Sequence, residues 1–75
     1  DKLWSELSAK DKMVARGIAQ VNSGKISEIR AILHMETNEF NPYRKRLIRK
    51  GLIDGETRGY VKFTLPFFEE YVLEN

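Results

Sequence analysis

The chain reads SEIRAILHMETNEFNPYRKRLIRKGLI from Ser27 to Ile53, and this stretch decides the fold. Two runs of apolar residues at helical spacing predict two helices, over about residues 28–35 and 38–50. The first run is Ile29, Ile32 and Leu33, and the second is Phe40, Tyr43 and Leu47. Residues 36–38 between the two helices have turn and cap chemistry, and Gly51 is a typical stop for the second one.

Upstream of this stretch the sequence predicts one more helix. Ser8 can cap this helix. Asp11 follows three residues later, where an acidic side chain stabilises the first turn of a helix. Apolar residues at helical spacing then predict a helix over about residues 9–21. After this helix, Lys25 and Ile26 are too few to form a strand of their own but can add a short edge to a sheet.

Downstream, residues 52–53 and 60–64 predict two strands joined by a turn that contains two glycines. Pro66 suits the first position of a short, apolar last helix. The order of three helices, a hairpin and a short helix is the layout of a winged helix-turn-helix, which is an α+β fold. The predicted core is Leu7, Val14, Ile18, Val21, Ile29, Leu33, Phe40, Tyr43, Leu47, Leu52, Ile53, Val61, Phe63, Phe68 and Val72. The simplest place for Trp4, Phe67 and Tyr71 is also the core, although Trp4 can instead pack on an upstream domain.

Length and composition narrow the class of protein. The chain has 75 residues, which fits a single domain over residues 1–75. It has no cysteine and a single histidine, His34, so we expect neither a disulfide scaffold nor a metal site, and no cofactor. No apolar run approaches the length of a membrane helix, so we expect no membrane partner. Residue 1 is Asp rather than Met, and no signal peptide is evident, so we expect a piece of a longer, cytoplasmic protein.

The charge is unevenly distributed although the net charge is only +2. Residues 44–50 read RKRLIRK, five bases without an acid, and residues 69–75 read EEYVLEN, three acids without a base. This separation predicts an oriented surface with a basic side.

Two segments are similar to a known family. Residues 43–53, YRKRLIRKGLI, and residues 58–72, RGYVKFTLPFFEEYV, resemble the C-terminal winged helix-turn-helix domain of prokaryotic AAA+-type ATPases. The phrase FTLPFF over residues 63–68 is the most specific part of the resemblance. It implies a DNA-binding module excised from the C-terminus of a larger ATPase, with the upstream ATPase domain as a partner in cis. The chain has no GxxxxGK[ST] loop, so ATP binding would belong to the rest of that protein and this fragment is not expected to be an enzyme.

The sequence departs from this family at two places. The turn around Leu33, His34 and Met35 lacks the glycine that is frequent there. Pro42 lies inside the helix that would read DNA. Because proline suits the first turn of a helix, we expect the regular part of this helix to begin nearer Asn41.

The 38–50 helix and the hairpin supply the candidate DNA-binding residues. At 100° per residue, one side of the helix carries Phe40, Tyr43 and Leu47 toward the core. The opposite side and its flanks, with the hairpin, carry Asn38, Asn41, Arg44, Lys45, Arg46, Arg49, Thr57, Arg58 and Lys62. Lysine and arginine neutralise phosphates, and asparagine and arginine make paired hydrogen bonds to base edges. We therefore predict that this helix enters the major groove of double-stranded DNA and that the hairpin, the wing, acts as a second clamp.

Three other interpretations remain open. The basic run can be a solvated helix face, with Arg49 and Lys50 stabilising the helix dipole. The acids Glu36 and Glu39 and the position of Pro42 favour a protein-interaction or regulatory module, which docks on its own ATPase domain or on a partner through Trp4 or the last helix. A transcription regulator unrelated to any ATPase fits the same fold. No catalytic residue is predicted, because His34 has no partner and the adjacent acids Glu69 and Glu70 point in different directions.

Overall fold

The computed structural model describes residues 2–74, and these residues form an α+β fold. The helices are α1 (Lys2–Ser5), α2 (Ala9–Gln20), α3 (Ile26–Leu33), α4 (Thr37–Arg49) and α5 (Phe68–Glu74). The strands are β1 (Ile53–Asp54) and β2 (Lys62–Phe63). The predicted order of three helices, a hairpin and a short last helix is confirmed, and α1 is an addition to it. Asp1 and Asn75, the ends of the predicted 1–75 domain, lie outside the described residues.

Helix α2 begins at the predicted cap. The backbone N–H of Asp11 donates to Ser8 Oγ at 3.1 Å, and the N–H of Ser8 donates back to Asp11 Oδ2 at 3.4 Å. This reciprocal capping box satisfies two of the N–H groups that the first turn leaves without helical partners. From this start, α2 contacts α3, α4 and α5, so it is the helix on which the other helices pack.

The turn between α3 and α4 is tight although it contains no glycine. His34 takes the left-handed conformation with φ of 56°, and the N–H of Met35 donates to the carbonyl of Arg30 at 3.0 Å. Such a left-handed residue is a common helix ending, and glycine adopts it most easily. His34 therefore fills the role of the missing glycine.

The prediction that the regular part of this helix begins nearer Asn41 is wrong. Helix α4 begins at Thr37, so Pro42 lies in its second turn. The N–H of Glu36 donates to Glu39 Oε1 at 3.1 Å and fixes the start of the helix. Pro42 has no N–H, which removes the helical hydrogen bond to the carbonyl of Asn38 but leaves the rest of the helix in place.

The sheet is shorter than predicted but has the expected extra edge. Ile53 pairs with Phe63 and Asp54 with Lys62 in antiparallel register, and Lys25 forms an isolated antiparallel bridge with Tyr60. The hydrogen bonds from Val61 N–H to the carbonyl of Gly24 and from Ile26 N–H to the carbonyl of Gly59, each 2.9 Å, attach this edge. The return segment of the hairpin is thus held from both sides.

The core lies between α2, α4, the sheet and α5. Its buried apolar residues are Trp4, Leu7, Val14, Ala15, Ile18, Ala19, Ile29, Phe40, Leu47, Leu52, Ile53, Val61, Phe63, Phe68 and Val72. Most of the predicted core is confirmed. Val21, Leu33 and Tyr43 are only partly buried and pack against it.

Aromatic contacts show how the last helix, α5, packs against the core. Trp4 is buried, and its ring meets those of Phe68 and Tyr71 edge to face at 6.4 and 6.3 Å between centroids. Phe67 is 79% exposed, so its assignment to the core is wrong. The reason is that Phe67 precedes the helix with φ of 62°, whereas Phe68 begins α5 and shares its inner face with Val72, four residues later.

Candidate nucleic-acid interface

Helix α4 is seated on the core by one face. Phe40 and Leu47 are fully buried, and Tyr43 between them is partly buried. These residues recur at spacings of three and four, so they fix which side of the helix faces away from the core. Leu47 follows Phe40 by seven positions, and the helix is therefore held over two turns.

The side of α4 opposite the core has the predicted composition. All four of its members are exposed, and we call this set the outer face: Asn38, Asn41, Lys45 and Arg49. Within residues 2–74, neither Lys45 nor Arg49 makes a side-chain hydrogen bond or an ion pair. Their charges are therefore available to an external anion.

Arg46, at one flank of the outer face, is bound to another helix. Its Nη1 donates to Asp11 Oδ1 at 3.0 Å and to Asp11 Oδ2 at 3.3 Å. The guanidinium also lies over the ring of Tyr43, with its Cζ 5.6 Å from the ring centroid. Asp11 is 2% exposed and is the only buried charged residue among residues 2–74. This ion pair ties α4 to the first turn of α2.

Arg44, at the other flank, points toward the hairpin. It is half-buried, and its Nη2 donates to the carbonyl of Gly55 in a long hydrogen bond of 3.4 Å. A Cβ at Gly55 would lie 2.6 Å from this nitrogen, so a larger residue there would displace the end of the arginine side chain. Arg44 thus joins α4 to the start of the hairpin loop, and it belongs less to the outer face than the sequence suggests.

The hairpin carries two exposed basic side chains. Arg58 and Lys62 are both exposed, as is Thr57. Acidic residues stand beside them, because Asp54 pairs with Lys62 in the sheet register and its Oδ1 accepts a hydrogen bond from the Glu56 N–H at 2.8 Å. The hairpin surface is therefore mixed in charge, unlike the outer face of α4.

Residues 1–72 match the family described as a domain of unknown function, DUF8462. The chain belongs to this family. No curated protein and no solved structure matches the chain. The DUF8462 match covers α1 to most of α5, so the hairpin and the outer face of α4 both lie inside the family domain.

The role of Asp11 in this DUF8462 domain is the feature that sequence reasoning missed. The sequence identified Asp11 as a residue of the first turn of α2, without a partner elsewhere. Its spacing to Val14 and Ile18, three and seven residues away, places it on the buried face of α2. A carboxylate on a buried face requires a hydrogen-bonded or charged partner. That spacing was the available signal, although it could not identify Arg46 as the partner.

Three further features of the described residues 2–74 concern metal ligands, membrane-spanning helices and His34. Among residues 2–74, no group of three or more histidine, aspartate or glutamate side chains is placed to hold a metal ion. In the same range, no helix is long and apolar enough to cross a membrane. His34 is exposed in the turn between α3 and α4, where its backbone conformation explains its position.

Proposed function

We propose that this chain is a winged helix-turn-helix domain that binds double-stranded DNA. In this proposal α4 enters the major groove and the β1–β2 hairpin is the wing. The tight turn between α3 and α4, the antiparallel hairpin and the Lys25–Tyr60 bridge support this fold. The outer face of α4 would contact base edges and phosphates, and Arg58 and Lys62 of the wing would contact a neighbouring phosphate.

One observation carries the proposal. Lys45 and Arg49 are exposed one helical turn apart on α4, and neither has a partner within residues 2–74. Asn38 and Asn41 continue the same face toward the start of the helix. Lysine and arginine side chains without partners bind DNA phosphates, and this binding releases the counterions of the DNA. Asparagine side chains can form paired hydrogen bonds with the edge of adenine. This combination on one helix face is what groove recognition requires.

The affinity for duplex DNA at two salt concentrations tests the proposal. We expect residues 1–75 to bind a labelled duplex of generic sequence in fluorescence anisotropy. If about four phosphates are neutralised, the affinity should fall about 100-fold between about 50 and about 200 mM salt. Absence of binding at the lower salt, or an affinity that salt does not change, would contradict the proposal.

The wider context of the domain is a second part of the proposal. On the resemblance of residues 43–53 and 58–72, we propose that the domain serves a larger, cytoplasmic AAA+-type ATPase. In this arrangement the present chain itself is not an enzyme and holds no cofactor. The full-length protein should then hydrolyse ATP while residues 1–75 alone do not. A full-length protein without ATPase activity would contradict this part and leave the DNA-binding proposal standing.

The exposure of Phe67 favours one other function, which is docking on that ATPase domain in cis. The contact would use the start of the last helix, where Phe67 is 79% exposed and Leu65 is also exposed. Trp4, the other residue expected to serve such a contact, is buried in the core. Binding of residues 1–75 to the separate ATPase domain, abolished by Phe67→Ala, would support this function. No binding in either nucleotide state would exclude it.

A further inference from the structure

The ion pair between Asp11 and Arg46 leaves part of the arginine unused. Both contacts to Asp11 come from Nη1, at 3.0 and 3.3 Å. Within residues 2–74 the Nε and Nη2 groups make no hydrogen bond, and the side chain of Arg46 is 45% exposed. A guanidinium has five N–H donors in a rigid plane, so Arg46 can hold Asp11 and a second anion at once.

We infer that Arg46 is a pre-positioned ligand for a DNA backbone phosphate and that Asp11 is its positioning residue. The inference rests on the proposed DNA binding by α4 and adds a pre-positioned phosphate contact beside the outer face. Arg46 lies at the flank of the outer face. When a helix lies in the major groove, its flanks run beside the phosphate backbones while its outer face meets the bases.

The surroundings of Arg46 explain why it would be held in place. Asp11 is 2% exposed, and a buried carboxylate without a partner is strongly unfavourable. Arg46 therefore keeps its contact to Asp11 whether or not an anion is present. The ring of Tyr43 supports the guanidinium from one side. An arginine fixed in this way loses less side-chain entropy when it binds than a free one does.

Arg44 does not offer the same chemistry, although it also flanks the outer face. Its Nη2 is directed at the carbonyl of Gly55, and its Nε is buried without a hydrogen-bond partner. These two donor groups are therefore turned toward the protein. Of the two flanking arginines, Arg46 is the more exposed to solvent.

Substitution of Asp11 by asparagine gives a test in which positioning and simple electrostatics predict opposite results. Asp11→Asn removes one negative charge, so long-range attraction alone would strengthen DNA binding. If Asp11 positions Arg46, the duplex affinity should instead fall about three- to tenfold, as expected for loss of one oriented charge-assisted hydrogen bond. Glu6→Gln is the control, because it makes the same charge change at an exposed acid and should bind equally or slightly more tightly.

The side-chain N–H signals of the unsubstituted chain give an independent readout. On addition of a generic duplex at about 50 mM salt, the Arg46 Nε–H signal should shift in a ¹H–¹⁵N spectrum, whereas that of Arg44 should stay largely unchanged. This measurement tests whether Arg46 contacts the DNA even if Asp11→Asn fails to fold.

The results of these two experiments test the role of Arg46 separately from DNA binding itself. If the duplex binds with the expected salt dependence but the Arg46 signal does not move, or folded Asp11→Asn binds as well as Glu6→Gln does, the role of Arg46 is refuted and DNA binding stands. If the unsubstituted chain does not bind the duplex, both are refuted. Weaker binding by Asp11→Asn together with the shifted signal would support the inference.

Discussion

His34 holds a left-handed backbone conformation that glycine adopts freely and L-residues adopt only at an energetic cost. Its φ of 56° ends α3, and the hydrogen bond from Met35 N–H to the carbonyl of Arg30 depends on it. The side chain itself is exposed. Its position is therefore explained by the backbone, and no chemistry of the imidazole is needed.

Replacing His34 by glycine should stabilise the domain. The substitution removes the strain of the left-handed conformation, and we expect the free energy of unfolding to rise by about 0.5–1 kcal/mol. Ala31→Gly is the matched control, because Ala31 is exposed within α3 and glycine there should lower the free energy of unfolding by about 1 kcal/mol. Urea unfolding followed by circular dichroism measures both. A loss of stability in both variants would contradict the role given to His34.

At the scale of single elements, Gly24 contributes one of the two hydrogen bonds that attach the hairpin to residues 24–26. Gly24 has φ of 74°, and its carbonyl accepts the hydrogen bond of the Val61 N–H at 2.9 Å. A Cβ at residue 24 would collide with the carbonyl oxygen of Val61. Gly51 has a similar φ of 80°, but a Cβ there would meet nothing within 4 Å.

Comparison of Gly24→Ala with Gly51→Ala should separate steric contact from backbone strain. We expect Gly51→Ala to lower the free energy of unfolding by about 1 kcal/mol, which is the left-handed strain alone. Gly24→Ala should cost at least about 1 kcal/mol more, because the strand edge must also move. Chemical denaturation of the two variants gives both values. Equal losses would show that the Gly24–Val61 contact does not hold the hairpin.

Helices α2 to α5 were predictable from the sequence because their signals are local, whereas α1 was not predicted. Ser8 and Asp11 form the capping box of α2, and the spacing of Phe40 and Leu47 defines the buried side of α4. The start of α4 was misplaced because proline has a strong preference for the first turn. The cap between Glu36 and Glu39 outweighs that preference in the folded chain.

At the scale of the whole molecule, Phe68 packs α5 against the core, whereas the preceding Phe67 does not. Phe68 is 4% exposed and meets Phe63 edge to face at 5.2 Å between ring centroids, whereas Phe67 is 79% exposed. Phe68→Ala should lower the free energy of unfolding by about 3–5 kcal/mol, enough to unfold much of a domain this small. Phe67→Ala should change it by no more than about 0.5 kcal/mol.

Thermal unfolding monitored by circular dichroism distinguishes the two phenylalanine variants. A large fall in the midpoint temperature for Phe68→Ala and almost none for Phe67→Ala would support the packing of α5. Similar effects in the two variants would contradict it.

The candidate site was only partly predictable, because its geometry depends on contacts between distant segments. The outer face of α4 follows from helical periodicity, and Lys45 and Arg49 are exposed as predicted. The direction of the flanking arginines does not follow from periodicity. Arg46 meets Asp11, 35 residues away, and Arg44 meets the carbonyl of Gly55. Such contacts arise only when α2, α4 and the hairpin are assembled.

The affinity of Lys45→Glu/Arg49→Glu for duplex DNA at low salt tests the central claim most directly. The control is Lys2→Glu/Lys10→Glu, which makes the same change in net charge at exposed lysines of α1 and α2. If α4 binds DNA through its outer face, the first variant should lose binding at about 50 mM salt, while the control retains measurable affinity. Circular dichroism should show both variants folded. Equal affinity in the two folded variants would show that net charge, and not the outer face of α4, accounts for binding.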